Sequence, residues 1–135
     1  MVALMVINSI SGSVQAASGT WGVIKEGTYS WQDCANWAAG SIPGSGINDA
    51  ASFTRDFTGN QIVALDRTVT LGTLNFSNTT GTVVLAGGAG GTMSFNAGGA
   101  AAINKTGPST AVIQANMGLQ NQVSLNVAQG VLVLD

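Results

Sequence analysis

From Ile62 to Asp135 the chain alternates apolar and polar residues in pieces of strand length. The pieces are Ile62-Val63-Ala64-Leu65, Thr68-Val69-Thr70-Leu71, Thr73-Leu74-Asn75-Phe76, Thr82-Val83-Val84-Leu85 and Thr92-Met93-Ser94-Phe95. Ala101-Ala102-Ile103, Ala111-Val112-Ile113, Val123-Ser124-Leu125-Asn126-Val127 and Val131-Leu132-Val133-Leu134 continue the pattern. Each is β-branched or apolar at alternate positions and is bounded by Gly, Asn, Ser or Thr, which marks strands separated by turns. No window carries apolar residues at i, i+3, i+4 and i+7 between helix caps, so helix is disfavoured throughout.

The strand centres also recur. Phe76, Phe95, Ile113 and Leu132 are 19, 18 and 19 positions apart, and Leu65, Leu85, Ile103 and Val123 are 20, 18 and 20 apart. Two interleaved sets with one spacing predict a coiled sheet, in which each coil gives a strand to every face. Equivalent strands then stack about 4.8 Å apart and inward residues form apolar ladders. The expected fold is all-β, a parallel β-helix (solenoid) of roughly four coils across the 74 residues from Ile62 to Asp135. Gly87-Gly88-Ala89-Gly90-Gly91 and Gly98-Gly99 fall between strands, at tight corners. An antiparallel sandwich or meander shares the short strands. It needs no such period, however, and the hairpin dipeptides Asn-Gly and Asp-Gly are absent from this stretch.

Three segments follow from the texture. Residues 1–17 read as a signal-peptide remnant or disordered leader: an apolar run from Met1 to Ile7, then Val14-Gln15-Ala16-Ala17, which resembles a signal-peptidase site. The first basic residue is Lys25, so a charged n-region is missing and the true start is expected upstream. Residues 18–61 read as an N-terminal cap with the first strands, and residues 62–135 as β-helix coils truncated at the C-terminus. All three tryptophans and the one tyrosine lie between Trp21 and Trp37. A solenoid exposes its core and an unpaired edge at its ends, and bulky aromatics there are expected to close one of them. The functional alternative makes Trp21, Tyr29, Trp31 and Trp37 a platform for stacking sugar rings, as in an extracellular carbohydrate-binding module.

Composition narrows the chemistry. Charged residues are 7% of 135, Gly contributes 19, and net charge is −2, so polarity rests on hydroxyl and amide groups. With four Lys+Arg there is no basic stripe for nucleic acid or anionic lipid. The seven-residue apolar run at the N-terminus is too short to span a bilayer. Cys34 is the single cysteine, which excludes an internal disulfide framework, and histidine is absent. Asp49, Asp56, Asp66, Arg55 and Arg67 could in principle serve a polysaccharide-cleaving site, but after Asp66 the only acid is Asp135. The coils that would form a substrate groove therefore carry no carboxylate pair. Asp49 and Asp66 read better as corner hydrogen-bonders. Gly87–Gly91 is followed by neither Gly-Lys-Ser/Thr nor the aspartate of a calcium nonapeptide, so it reads as a corner. No catalytic residue, cofactor or metal is expected.

Gly19-Thr20-Trp21, Ser30-Trp31-Gln32-Asp33, Asn36-Trp37, Ile42-Pro43-Gly44 and Asp49-Ala50-Ala51-Ser52-Phe53 occur in that order, followed by Thr68-Val69-Thr70-Leu71-Gly72-Thr73-Leu74-Asn75-Phe76. This resembles the N-terminal region of bacterial autotransporter-associated β-strand repeat proteins, over about Ser18 to Asp135. The resemblance implies a large exported surface protein with a right-handed β-helical passenger and no assigned reaction. Its implied setting is secreted or at the cell surface or outer membrane. Its implied partners are host or matrix surface molecules, polysaccharide among them, and the remainder of its own β-helix. A C-terminal translocator barrel or other anchor is not present, so the chain is expected to be part of a longer passenger.

Overall fold

The structure, a computed structural model, describes residues 17–120 and 122–135. The expected leader over residues 1–17 lies, save for Ala17, outside the described residues. The strands are β1 (Ser18–Thr20), β2 (Gly27–Ser30), β3 (Ala50–Phe53), β4 (Gln61–Leu65), β5 (Val69–Leu71), β6 (Thr73–Phe76) and β7 (Thr82–Gly87). They continue as β8 (Thr92–Phe95), β9 (Ala101–Lys105), β10 (Thr110–Ile113), β11 (Asn116–Leu119), β12 (Val123–Val127) and β13 (Val131–Leu134). Helix among the described residues is confined to two 3-10 turns, Cys34–Asn36 and Ala38–Gly40.

All strand pairing is parallel, and the strands sort into three sheets in the orders β1-β3-β6-β9-β12, β2-β4-β7-β10-β13 and β5-β8-β11. From β3 onward the strands visit these faces in strict rotation, and the first coil reaches the third face only through a single bridge from Ser45 to Thr70, so the molecule is a three-sided β-solenoid. Alternating residues explain it: in β4, β6, β9 and β10 every second side chain is buried, and these inward residues stack from coil to coil. One column runs Phe53, Phe76, Lys105, Val127, and another runs Val63, Leu85, Ile113, Leu134.

The architecture matches the sequence pattern, but the register does not. The coil step is 76−53=23 and then 105−76=29 residues on the first face, not about 19. Phe76, Phe95, Ile113 and Leu132 lie in β6, β8, β10 and β13, so consecutive members of that set are two, two and three strands apart. They never share one column. The cause is that corner loops differ in length, while each coil holds three inward-facing strand centres that look alike in sequence. Similarity between faces imitated similarity between coils.

The corners hold close backbone contacts. Between β7 and β8 the chain passes over β4, with Gly88 N–H donating to Leu65 O at 2.9 Å. A Cβ at Gly91 would sit on the Leu65 carbonyl oxygen, which is why this corner is glycine-rich. On the outer face of the first sheet, Asn75 Nδ2 donates to Ser52 Oγ (3.2 Å), Asn104 to Asn75 Oδ1 (2.8 Å) and Asn126 to Asn104 Oδ1 (2.8 Å). This amide ladder pins the register of β3, β6, β9 and β12. No helix among the described residues is long and apolar enough to cross a membrane.

Candidate functional site

The aromatic residues singled out by sequence meet at the N-terminal end. Trp21 follows β1 and aligns with the coil below through its N–H to Ser52 O (2.9 Å), which puts the indole over Phe53 at 5.6 Å between ring centroids. Trp31 and Trp37 come from the segment between β2 and β3. Trp37 packs edge-on to both Trp21 (5.0 Å) and Trp31 (4.8 Å), and the stack continues through Phe53 to Phe76 (5.4 Å). All three indoles are buried, at 0, 0 and 3% exposure, so no face is open for a sugar ring.

Their N–H groups are also consumed internally. Trp21 Nε1 donates to Gln61 Oε1 (2.8 Å), Trp31 Nε1 to Pro43 O (2.9 Å) and Trp37 Nε1 to Trp31 O (2.8 Å). Gln61 stands at a column position filled by Val83 in the next coil. It is buried there because its amide also donates to Val23 O (3.1 Å) and Lys25 O (2.7 Å). Sequence reading missed Gln61, since one polar residue at the head of an apolar strand carries no signal of a tryptophan partner 40 positions away. Tyr29 is the half-buried member of the four, with its hydroxyl 3.2 Å from the carbonyls of Lys25 and Glu26. The cluster is the capped end of the core, and the stacking platform would be reduced to this one ring.

Asp49 fastens the cap. Its Oδ1 accepts from Ala17 N–H (2.8 Å), and its Oδ2 accepts from Gly44, Ser45 and Gly46 N–H (2.8, 3.0 and 3.3 Å). One buried carboxylate thus gathers the Pro43-Gly44 turn and the start of β1, the corner role expected for it. Asp66 accepts from Ser30 Oγ at 2.6 Å, also as a corner bonder. Asp56 accepts from Thr79 N–H (2.6 Å), Thr79 Oγ1 (2.8 Å) and Thr80 N–H (3.3 Å). The Thr79 backbone and hydroxyl bonds hold its carboxyl below the ordinary range. Asp49 precedes β3, Asp56 lies between β3 and β4, and Asp66 lies between β4 and β5. They occupy three different corners of the solenoid and are not brought together with Arg55 and Arg67 into one site. Among the described residues no cluster of three or more acids, cysteine or histidine could hold a metal.

The opposite end is built differently. Leu119, Leu125, Val127 and Leu134 are 62, 52, 52 and 44% exposed, although they sit at inward positions above Phe95, Ile103, Lys105 and Ile113. Ile103, Met117, Leu119, Val123, Leu125 and Leu134 line an apolar recess of about 70 Å³. One coil below exposed Val127 lies a residue that the strand pattern hid. Lys105 continues the column of Phe53 and Phe76, fully buried, its Nζ donating to Gly107 O and to Ser109 Oγ (3.3 Å). Burial pushes its pKa down.

Comparison of the chain with protein-family profiles, with curated proteins and with solved structures gives no match.

Proposed function

We propose that the chain is a structural and adhesive solenoid, exported by a bacterium and displayed at the cell surface or released, with no catalysis of its own. The observation that supports this reading most is the build of the solenoid: a stiff, charge-poor, three-sided stack whose tip is sealed by three buried indoles and three of whose six acids, Asp49, Asp56 and Asp66, bond its corners. Such a stack suits the presentation of loops at a distance from its base, with host or matrix surface molecules, including polysaccharide, as partners. The likeness of Trp21, Trp31, Asn36, Trp37, Pro43, Asp49 and Phe53 to autotransporter-associated repeat proteins points the same way.

Surface labelling of intact cells of the source organism, with an antibody raised against the folded chain, tests the export half of the reading. Labelling equal to that of lysed cells is expected, and a signal seen only after lysis would overturn it. Titration of tryptophan fluorescence with soluble polysaccharides tests the carbohydrate-binding alternative, which calls on Trp21, Tyr29, Trp31 and Trp37. Unchanged emission is expected; a saturable quench would favour the binding module.

A further inference from the structure

Asp49 is the one buried acid among the described residues, at 2% exposure. The four groups its carboxylate accepts from are all backbone N–H: Gly44, Ser45 and Gly46 on Oδ2, and Ala17 on Oδ1. These donors are neutral, and neither lysine nor arginine is among them. A carboxylate drawn out of water in this way is costly to keep ionised unless a cation compensates it.

Ala17 stands apart from the other three donors. Both of its backbone polar groups are tied into the fold: its N–H reaches Asp49 Oδ1 (2.8 Å), and its carbonyl accepts from Ala50 N–H (3.0 Å) just ahead of β1. Immediately before it comes Val14-Gln15-Ala16, with Val14 and Ala16 at the −3 and −1 places of a signal-peptidase site. The bond that such a peptidase cuts is therefore the one whose nitrogen rests on the buried carboxylate.

We propose that cleavage after Ala16 turns this hydrogen bond into an ion pair, in which Asp49 holds the new α-ammonium of Ala17. Hydrolysis adds the hydroxyl of water to the Ala16 carbonyl carbon and its proton to the Ala17 nitrogen. The Ala16 acid then gives a proton to solvent and the Ala17 amine takes one up, as both do at neutral pH. The leader leaves as a carboxylate, and the chain keeps a cation beside Asp49 Oδ1. A charge-assisted bond of this kind is roughly twice as strong as a neutral one. Its effect reaches the aromatic cap, because Asp49 Oδ2 holds the turn after Pro43, and the Pro43 carbonyl accepts the Trp31 indole N–H. Loss of the leader thus tightens the closed end of the solenoid. The peptidase in this inference rests on the export reading, whereas the pairing of Ala17 with Asp49 is a property of the fold.

Two measurements test it. Mass spectrometry of the N-terminal peptide of the protein from its source cells should find Ala17 first, with a free amine. An exported protein with any other first residue would overturn the inference and leave export standing; an uncut chain kept inside the cell would overturn both. The second measurement is urea unfolding of residues 17–135, which hold all thirteen strands and the cap, with the α-amine either free or acetylated. Acetylation leaves Asp49 an N–H donor and removes only the charge. It should lower the folding constant at least about tenfold, to near that of the uncut 135-residue chain, in which the Ala17 nitrogen is an amide. With Asp49→Asn the free and acetylated forms should differ less than about twofold, since the neutral amide cannot pair with the cation. Acylation of the α-amine should also run several-fold slower in the folded parent than in urea, a readout that stands even if the asparagine variant fails to fold. A free-amine chain no more stable than its acetylated or uncut counterpart, or an α-amine acylated equally fast folded and unfolded, would overturn the pairing.

Discussion

The first and last described coils of this solenoid are built in opposite ways. Any stack of coils ends in a cross-section of its own core and a ring of unpaired backbone groups. At the N-terminal end, the segment from Trp31 to Asp49 crosses that section, three indoles fill it, and each indole N–H has an internal acceptor. At the C-terminal end, Leu119, Leu125 and Val127 occupy equivalent inward positions and remain more than half exposed. One column makes the contrast plain: it passes from Phe53 stacked on Phe76 to a buried lysine at Lys105, and then to exposed Val127. Inward-facing geometry does not make a core; a layer on both sides does.

Removing one member of the cap tests this contrast most severely. Trp31→Ala should destabilise the chain by about 3–5 kcal/mol in urea unfolding, because it opens a cavity and strands the Trp37 contact. Leu125→Ala, an equally inward residue at the other end, should cost the monomer well under half as much. Equal losses at both positions would erase the distinction between the ends.

Asp49→Ala should follow, at about 2–3 kcal/mol, since four backbone N–H groups lose their carboxylate acceptor. Hydrogen exchange should show Gly44 to Gly46 losing protection before the distant coils do.

Lys105→Met should act in the other direction, raising stability by roughly 1–2 kcal/mol by removing a buried charge from an apolar column. The folded-state pKa of Lys105 lies below the ordinary 10.5, so folding disfavours the protonated amine. The penalty is complete below the folded value and fades as pH rises through it toward 10.5. Alkaline titration should therefore stabilise the parent chain over that window and leave the methionine variant flat in comparison.

Asp56→Asn is the smallest expected perturbation. Its folded pKa is below 3.8, so its contribution is present in full above about pH 5 and disappears as pH falls through the folded value. Melting temperatures recorded across the acid range should fall less steeply for the asparagine variant than for the parent.

Much of this was written in the chain itself. The period-two alternation in Thr73-Leu74-Asn75-Phe76 and Thr110-Ala111-Val112-Ile113 fixes which side chains turn inward, since a strand places neighbours on opposite faces whatever it pairs with. Clustered tryptophans marked the cap, and the lack of an acidic pair in the later coils marked Asp49 and Asp66 as corner residues. What the sequence could not convey is which strand lies on which. Phe76 stacks on Phe53 and under Lys105 because loops of unequal length return the chain to the same face after 23 and then 29 residues. Loop length is set by how each corner closes over the one below, as Gly91 does over Leu65, and that depends on contacts remote in sequence. The same holds for Gln61 and Lys105, polar residues in apolar columns. Their burial is possible only where a distant indole or a neighbouring corner supplies hydrogen bonds that water would otherwise provide.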